Sequence, residues 1–186
     1  MSKIPDHAQC VFKGVIFDVY QWEQLLFDGT TVTFEALKRP NTVVVIPVLA
    51  DGRIAYAMQE QPGRPATLSL FGGRAEEGED PLETAKRELL EETGFVSEDW
   101  QSLREVVFPG KIDWTIYYYA ARNCQKVAEQ NLDAGEKIEI FTTTLDHFIS
   151  EIIPAAGFRE YELQREILSA FSNDAADKMK RDILSK

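Results

Sequence analysis

Three carboxylates, Glu88, Glu91 and Glu92, stand at i, i+3 and i+4 in the stretch Asp80-Pro-Leu-Glu-Thr-Ala-Lys-Arg-Glu-Leu-Leu-Glu-Glu-Thr-Gly94. On a helix that spacing turns all three to one side, where like charges repel by a few tenths of a kcal/mol per pair. Two readings fit. One is a solvated acidic face, ordinary in an acidic protein. The other is a site for hard divalent cations, which take oxygen ligands and draw several carboxylates around them. The helix itself is well signalled. Asp80 suits the N-cap, Pro81 the first helical position, and Asp80-x-x-Glu83 has the form of a capping box. Gly94 suits the left-handed C-terminal cap. A glycine-rich loop, Gly72-Gly-Arg-Ala-Glu-Glu-Gly-Glu79, feeds the helix.

Taken whole, Gly73–Phe95 resembles the Nudix box, Gly-x5-Glu-x7-Arg-Glu-U-x-Glu-Glu-x-Gly-U, with U a bulky aliphatic. The matching positions are Gly73, Glu79, Arg87, Glu88, Leu89, Glu91, Glu92 and Gly94, with aromatic Phe95 closing the pattern. The resemblance favours the metal reading. It implies an α+β Nudix fold, an α/β/α sandwich with a mixed sheet between helices. It also implies two or three Mg²⁺ (or Mn²⁺) ions held by Glu88, Glu92, Glu136 and the Gly72 carbonyl. Glu91 or Glu136 is then the candidate base. Arg87 pairs with Glu79 or Glu91 and orients the glutamates, while Gly73, Glu79 and Gly94 shape the box.

The flanks resemble the ADP-ribose pyrophosphatase subgroup of that family. They share an N-terminal sheet ahead of the core, Arg39-Pro40 before a buried strand, Gln59–Arg64, and Pro109-Gly110 after the box. By that resemblance Arg39, Arg64, Arg74 and Gly110 are substrate contacts, Trp22 or Phe34 offers an aromatic face to the base, and the N-terminal sheet makes a homodimer. The expected reaction is hydrolysis of ADP-ribose, or another nucleoside diphosphate sugar, to a nucleoside monophosphate and a sugar phosphate. The chain departs from the subgroup at Ser69 and Phe71, which replace glutamate and proline. Asp113-Trp114 stands near a missing glutamate, and Ala134 occupies the position of a loop glutamate that acts as base in some members. A triphosphate or RNA 5′-end pyrophosphohydrolase shares the same box. A non-enzymatic nucleotide-sugar sensor is a third reading, set against a box that keeps every acid.

The elements that must position these residues can be read around them. Val11–Trp22 and Thr31–Glu35 read as strands joined at the Asp28-Gly29 hairpin signal. Val43–Leu49 is an almost continuous apolar run, expected of a strand buried on both faces, and Asp51-Gly52 turns it back into Ile54–Met58. Val106–Trp114 reads as a loop and Thr115–Ala121 as a strand. Beyond Leu145 the pattern is helical, with His147 an ordinary surface or packed side chain and the charged last segment a solvated or dimer-facing helix. The expected organisation is an N-terminal hairpin region over 1–40, a catalytic core over 41–153 and a helical extension over 154–186.

The chain has 186 residues, 44% of them hydrophobic, with 31 acids against 20 bases and a net charge of −11. That composition describes a globular domain with a sizeable core. Its field disfavours long nucleic acid as a partner and leaves room for a small anion only where arginines line the pocket. Cys10 and Cys124 lack metal-ligand spacing and read as reduced thiols. With no apolar signal segment and no run of membrane-spanning length, the cytoplasm is the expected compartment.

Overall fold

The computed structural model describes residues 3–170 and 175–184. Two sheets make up its frame. The first joins β1 (Gln9–Lys13), β2 (Asp18–Leu25), β3 (Thr31–Lys38) and the short β9 (Ile112–Asp113) in that order. The second has the order β11 (Lys137–Thr143), β5 (Ile54–Glu60), β4 (Thr42–Leu49), β10 (Thr115–Lys126), β7 (Phe95–Val96), with β6 (Thr67–Ser69) on β5 and β8 (Asp99–Val107) on β10. It is mixed: β10 runs parallel to β4, while β8 and β11 lie antiparallel to their neighbours.

The central strands alternate in the manner of a strand buried on both sides. Val43 and Val45 of β4, with Tyr119 and Ala121 of β10, face Ala85 and Leu89 of the helix α1 (Pro81–Thr93). Their neighbours Ile46, Val48, Ile116 and Tyr118 face the opposite layer. That layer is built from α2 (Leu145–His147), the π turn Phe148–Ile152, α3 (Tyr161–Ala170) and α4 (Ala175–Leu184). Leu145, Phe148, Ile153, Phe158, Leu163 and Ile183 supply its side of the core. The α+β sandwich follows: α1, sheet, C-terminal helices.

Several local expectations change. Val11–Trp22 is two strands, because Gly14 N–H donates to Phe17 O (3.2 Å) and to Asp18 Oδ1 (3.2 Å) and turns the chain between β1 and β2. The expected loop 106–114 is partly strand: Leu37 N–H reaches Lys111 O (2.9 Å) and Arg39 N–H reaches Asp113 O (3.3 Å), pairing β9 with β3. The junction at 39–41 is therefore braced, and Asn41 Oδ1 also accepts from Thr115 N–H (3.0 Å). Asp80 caps α1 through Leu82 N–H (2.9 Å) and Gly94 closes it at φ 73°, but Glu83 pairs with Lys86 (2.7 Å) instead of completing a capping box. The last helix is not wholly solvated, since Ile183 is fully buried and Arg122 holds the Ile183 and Asp182 carbonyls at 2.8 and 2.7 Å.

Candidate active site

Arg87 organises the box. Its Nε and Nη2 grip Glu79 at 3.1 and 3.2 Å, Nη1 reaches Glu88 (2.8 Å) and Glu91 (3.0 Å), and Nη2 also donates to Arg74 O (3.0 Å). The guanidinium hydrogen bond holds the Glu79 carboxyl down at about 2. Arg87 thus ties the glycine loop to the acidic side of α1, pairing with both of the acids considered for it and with Glu88 as well.

The three helix acids are unequal. Glu91 is the most open, whereas Glu88 is largely covered and Glu92 is buried. Burial pushes Glu92 well above the usual carboxylate range, opposed by Gly72 N–H at 2.7 Å and assisted by the charges of Glu88 and Glu136. Glu88 is raised by burial too, against the pull of Arg87. The loop 127–136 brings Glu136 in. Asn131 N–H donates to Glu91 O (2.8 Å), and the Gln130 amide spans Glu92 O (2.8 Å) and Ile138 O (3.1 Å).

Gly72 and Gly73 are required by close approach. At Gly72 (φ 139°) a Cβ would fall 2.1 Å from Val43 O, and at Gly73 it would fall 2.4 Å from Glu88 Oε1. The missing side chains let the loop lie against β4 and α1 without displacing either.

These groups line a cleft of about 980 Å³. Glu88, Glu91, Glu92 and Glu136 border it together with Arg39, Arg64, Arg74, Arg87 and Arg159. Arg39 stacks on Trp114 (4.1 Å to the ring centroid), which stacks in turn on Phe108 (centroids 4.0 Å apart). Arg39 Nε is buried and without a hydrogen-bond partner. Burial disfavours its charge, and the nearby Arg74 and Arg159 add to that.

Of the residues singled out from sequence as substrate contacts, Trp22, Phe34 and Gly110 are not among those bordering the cleft; of the box residues, Glu79 and Gly94 are not. Trp22 packs edge-on against Phe34 in the first sheet (5.9 Å), and Gly110 sits in the turn between β8 and β9. Arg159, Glu160, Phe108 and Trp114 border the cleft without having been singled out as contacts. The first two arrive by pairing with residues some 90 positions earlier, which no local pattern announces.

Among the described residues no three Asp, Glu, His or Cys side chains converge into a ready cation cage. The protein's own donors explain this. Glu88 is drawn to Arg87 and Glu92 to Gly72 N–H. The donor set still fits a hard cation: oxygen-only ligands, two of them carboxylates whose charge burial opposes and which a nearby dication would favour.

The sequence profile of the NUDIX domain matches residues 38–161, and the chain belongs to the Nudix family. It is similar to the ADP-ribose pyrophosphatase of Bacillus subtilis (strain 168), 30% identical over 139 residues that cover 73% of this chain and 75% of the relative. It is equally similar to the methanol dehydrogenase activator of Bacillus methanolicus, 30% identical over 145 residues covering 76% and 78%. The likeness to the RNA pyrophosphohydrolase of Rhizobium meliloti (strain 1021), 48% identical, spans only 50 residues, 27% of this chain and 30% of that one. Among solved structures, an ADP compounds hydrolase shares the fold at a TM-score of 0.70 and 20% identity, over 90% of this chain and 91% of that one. The protein is therefore a Nudix hydrolase. No helix among the described residues is long and apolar enough to cross a membrane.

Proposed function

We propose that this Nudix hydrolase cleaves the diphosphate bond of a nucleoside diphosphate sugar, with ADP-ribose giving AMP and ribose 5-phosphate. The observation that carries the reading is the composition of the cleft: buried carboxylates in one place, arginines in the same place, and room for a molecule of that size. Similarity to the ADP-ribose pyrophosphatase over most of both chains supports the choice of substrate.

The family generally uses divalent cations, and here Glu88, Glu92, Glu136 and the Gly72 carbonyl would hold two or three Mg²⁺ or Mn²⁺. When bound, such ions neutralise phosphate oxygens and lower the pKa of water. The chain's own groups do the rest. Arg39, Arg64 and Arg74 bind and orient the diphosphate. One water adds across the P–O–P link: its oxygen goes to one phosphorus, the bridging oxygen stays on the other, and the proton passes to Glu91, with Glu136 the other candidate. Arg87 keeps Glu88 and Glu91 oriented.

A homodimer through the first sheet belongs to the same proposal. Phe12 (60% exposed), Val15 (94%) and Leu25 (64%) present apolar surface there, and Ile16 and Phe17 of the β1–β2 turn reach the cleft. A cytoplasmic location is proposed with it.

The test is a product assay. Incubation with ADP-ribose and Mg²⁺ should release AMP and ribose 5-phosphate in equal amounts. Pyrophosphate release from a nucleoside triphosphate, with ADP-ribose untouched, would overturn the substrate. Glu92→Gln should cost roughly 100-fold or more in turnover, about 2.7 kcal/mol in the barrier, with the melting temperature preserved. Near-normal turnover in that variant would sink the site assignment.

A further inference from the structure

The segment leading into α3 is laced to the strand that precedes the box. Phe158 bridges Leu68, Arg159 N–H donates to Leu68 O (2.8 Å), and the Glu160 carboxylate accepts from Leu70 N–H (3.2 Å). Leu70 lies two residues before Gly72, so the chain near residue 159 is fixed relative to the glycine loop by three contacts. From this anchored backbone the Arg159 side chain extends to the cleft, and its Nη1 donates to Gln59 Oε1 at 2.6 Å. Gln59 is buried and leans its amide nitrogen toward Leu70 O (3.4 Å) and Glu92 Oε1 (3.5 Å).

The Arg159 side chain is exposed at the cleft, and its charge favours the ionised forms of the neighbouring Glu92 and Glu160 carboxyls. It also stands, with Arg74, near enough to Arg39 for both cations to act on the Arg39 guanidinium. In a chain with net charge −11, the cleft gathers these three guanidinium groups beside its carboxylates, where an anionic ligand would relieve the repulsion among the cations. Among the described residues the Arg159 side chain makes a single hydrogen bond, to a neutral amide, and forms no salt bridge. A guanidinium has five N–H donors arranged to meet phosphate oxygens. Gln59 uses one edge of that fork and so sets its direction.

We infer that Arg159 is a substrate-contacting residue of this cleft that binds a phosphate of the nucleoside diphosphate, with Gln59 holding it in position for that contact. The inference rests on the reading of the cleft as a nucleoside diphosphate sugar site.

Arg159→Gln removes the charge and keeps a donor for Gln59, and Arg159→Lys restores the charge without the fork. The probe is α,β-methylene-ADP, whose bridge is not hydrolysed, titrated calorimetrically in EDTA. A loss of about tenfold or more in affinity is expected for Arg159→Gln, with partial recovery for Arg159→Lys and a melting temperature like that of the parent. With ADP-ribose and Mg²⁺ the same variant should raise KM by a larger factor than it lowers kcat. On the unmodified protein, the methylene analogue should protect Arg159 from phenylglyoxal, read by peptide mass spectrometry, which decides the matter even where a variant fails to fold. Affinity within twofold of the parent, or absence of protection while the parent binds the analogue, overturns the role of Arg159 and leaves the enzyme reading standing. A parent that neither binds the analogue nor turns over any nucleoside diphosphate sugar overturns both.

Discussion

Arg87 distributes its guanidinium over five acceptors from Glu79, Glu88, Glu91 and the Arg74 backbone. A lysine offers one nitrogen where three are used, so Arg87→Lys should lower kcat about 10- to 100-fold, as losing an orienting partner commonly does. The same pair fixes an acid dependence. Glu79 is held at about 2 in the folded chain against an ordinary 4.5. Its contribution to stability is therefore complete above about pH 4.5 and fades as pH falls toward 2. The gap in melting temperature between parent and Arg87→Lys should narrow over that window, and a constant gap would refute the linkage. Gly73 separates activity from stability in another way. A methyl group there meets the end of the Glu88 side chain, which can swing aside. Gly73→Ala should keep most of the melting temperature and lose most of the turnover. Gly72→Ala meets Val43 backbone at a strained φ and should lose both.

At the scale of elements, α1 was legible because its signals are local: a capping aspartate, a proline, a C-terminal glycine and acids at helical spacing within fifteen residues. The central strands were legible for a similar reason, their apolar runs naming both buried faces. What escaped was set by distant pairing. Nothing around Phe158–Glu160 hints that it joins Leu68–Leu70, and nothing around Ile112 hints that it joins β3. Trp22, strong by type, packs on Phe34 in the first sheet of this chain, and Trp114 borders the cleft. Glu160 shows what the lacing implies. Burial lifts its carboxyl to about 7, opposed by Leu70 N–H and the charge of Arg159. The folded pKa lies above the unfolded value, so stability is greatest below about pH 4.5 and falls as pH rises through 7. Glu160→Gln should therefore gain on the parent between pH 5 and pH 8, by on the order of 2 kcal/mol in chemical denaturation. A parent and variant with parallel pH profiles would refute this. At the far end of the chain, Ile183→Ala should destabilise by about 2–5 kcal/mol, as removal of a fully buried side chain does.

For the whole molecule, the two sheets are joined where β9, paired with β3 in the first, runs on into β10 of the second, and by the junction at Arg39–Thr42, where Asn41 accepts from Thr115 N–H. The first sheet, with its exposed Phe12 and Val15, is thus firmly attached to one wall of the cleft. If it carries the proposed dimer, Phe12→Asp with Val15→Asp should halve the mass seen by light scattering, while an unchanged mass would place any dimer elsewhere. The column of Arg39, Trp114 and Phe108 sits at this same junction. An indole pressed against a guanidinium is an optical sensor as well as a packing element. With Trp22 and Trp100 replaced by phenylalanine, the emission of Trp114 should respond when an anionic nucleotide takes up the charge of Arg39. The protein would then report the filling of its own cleft, unlabelled and in real time, before any bond is cut.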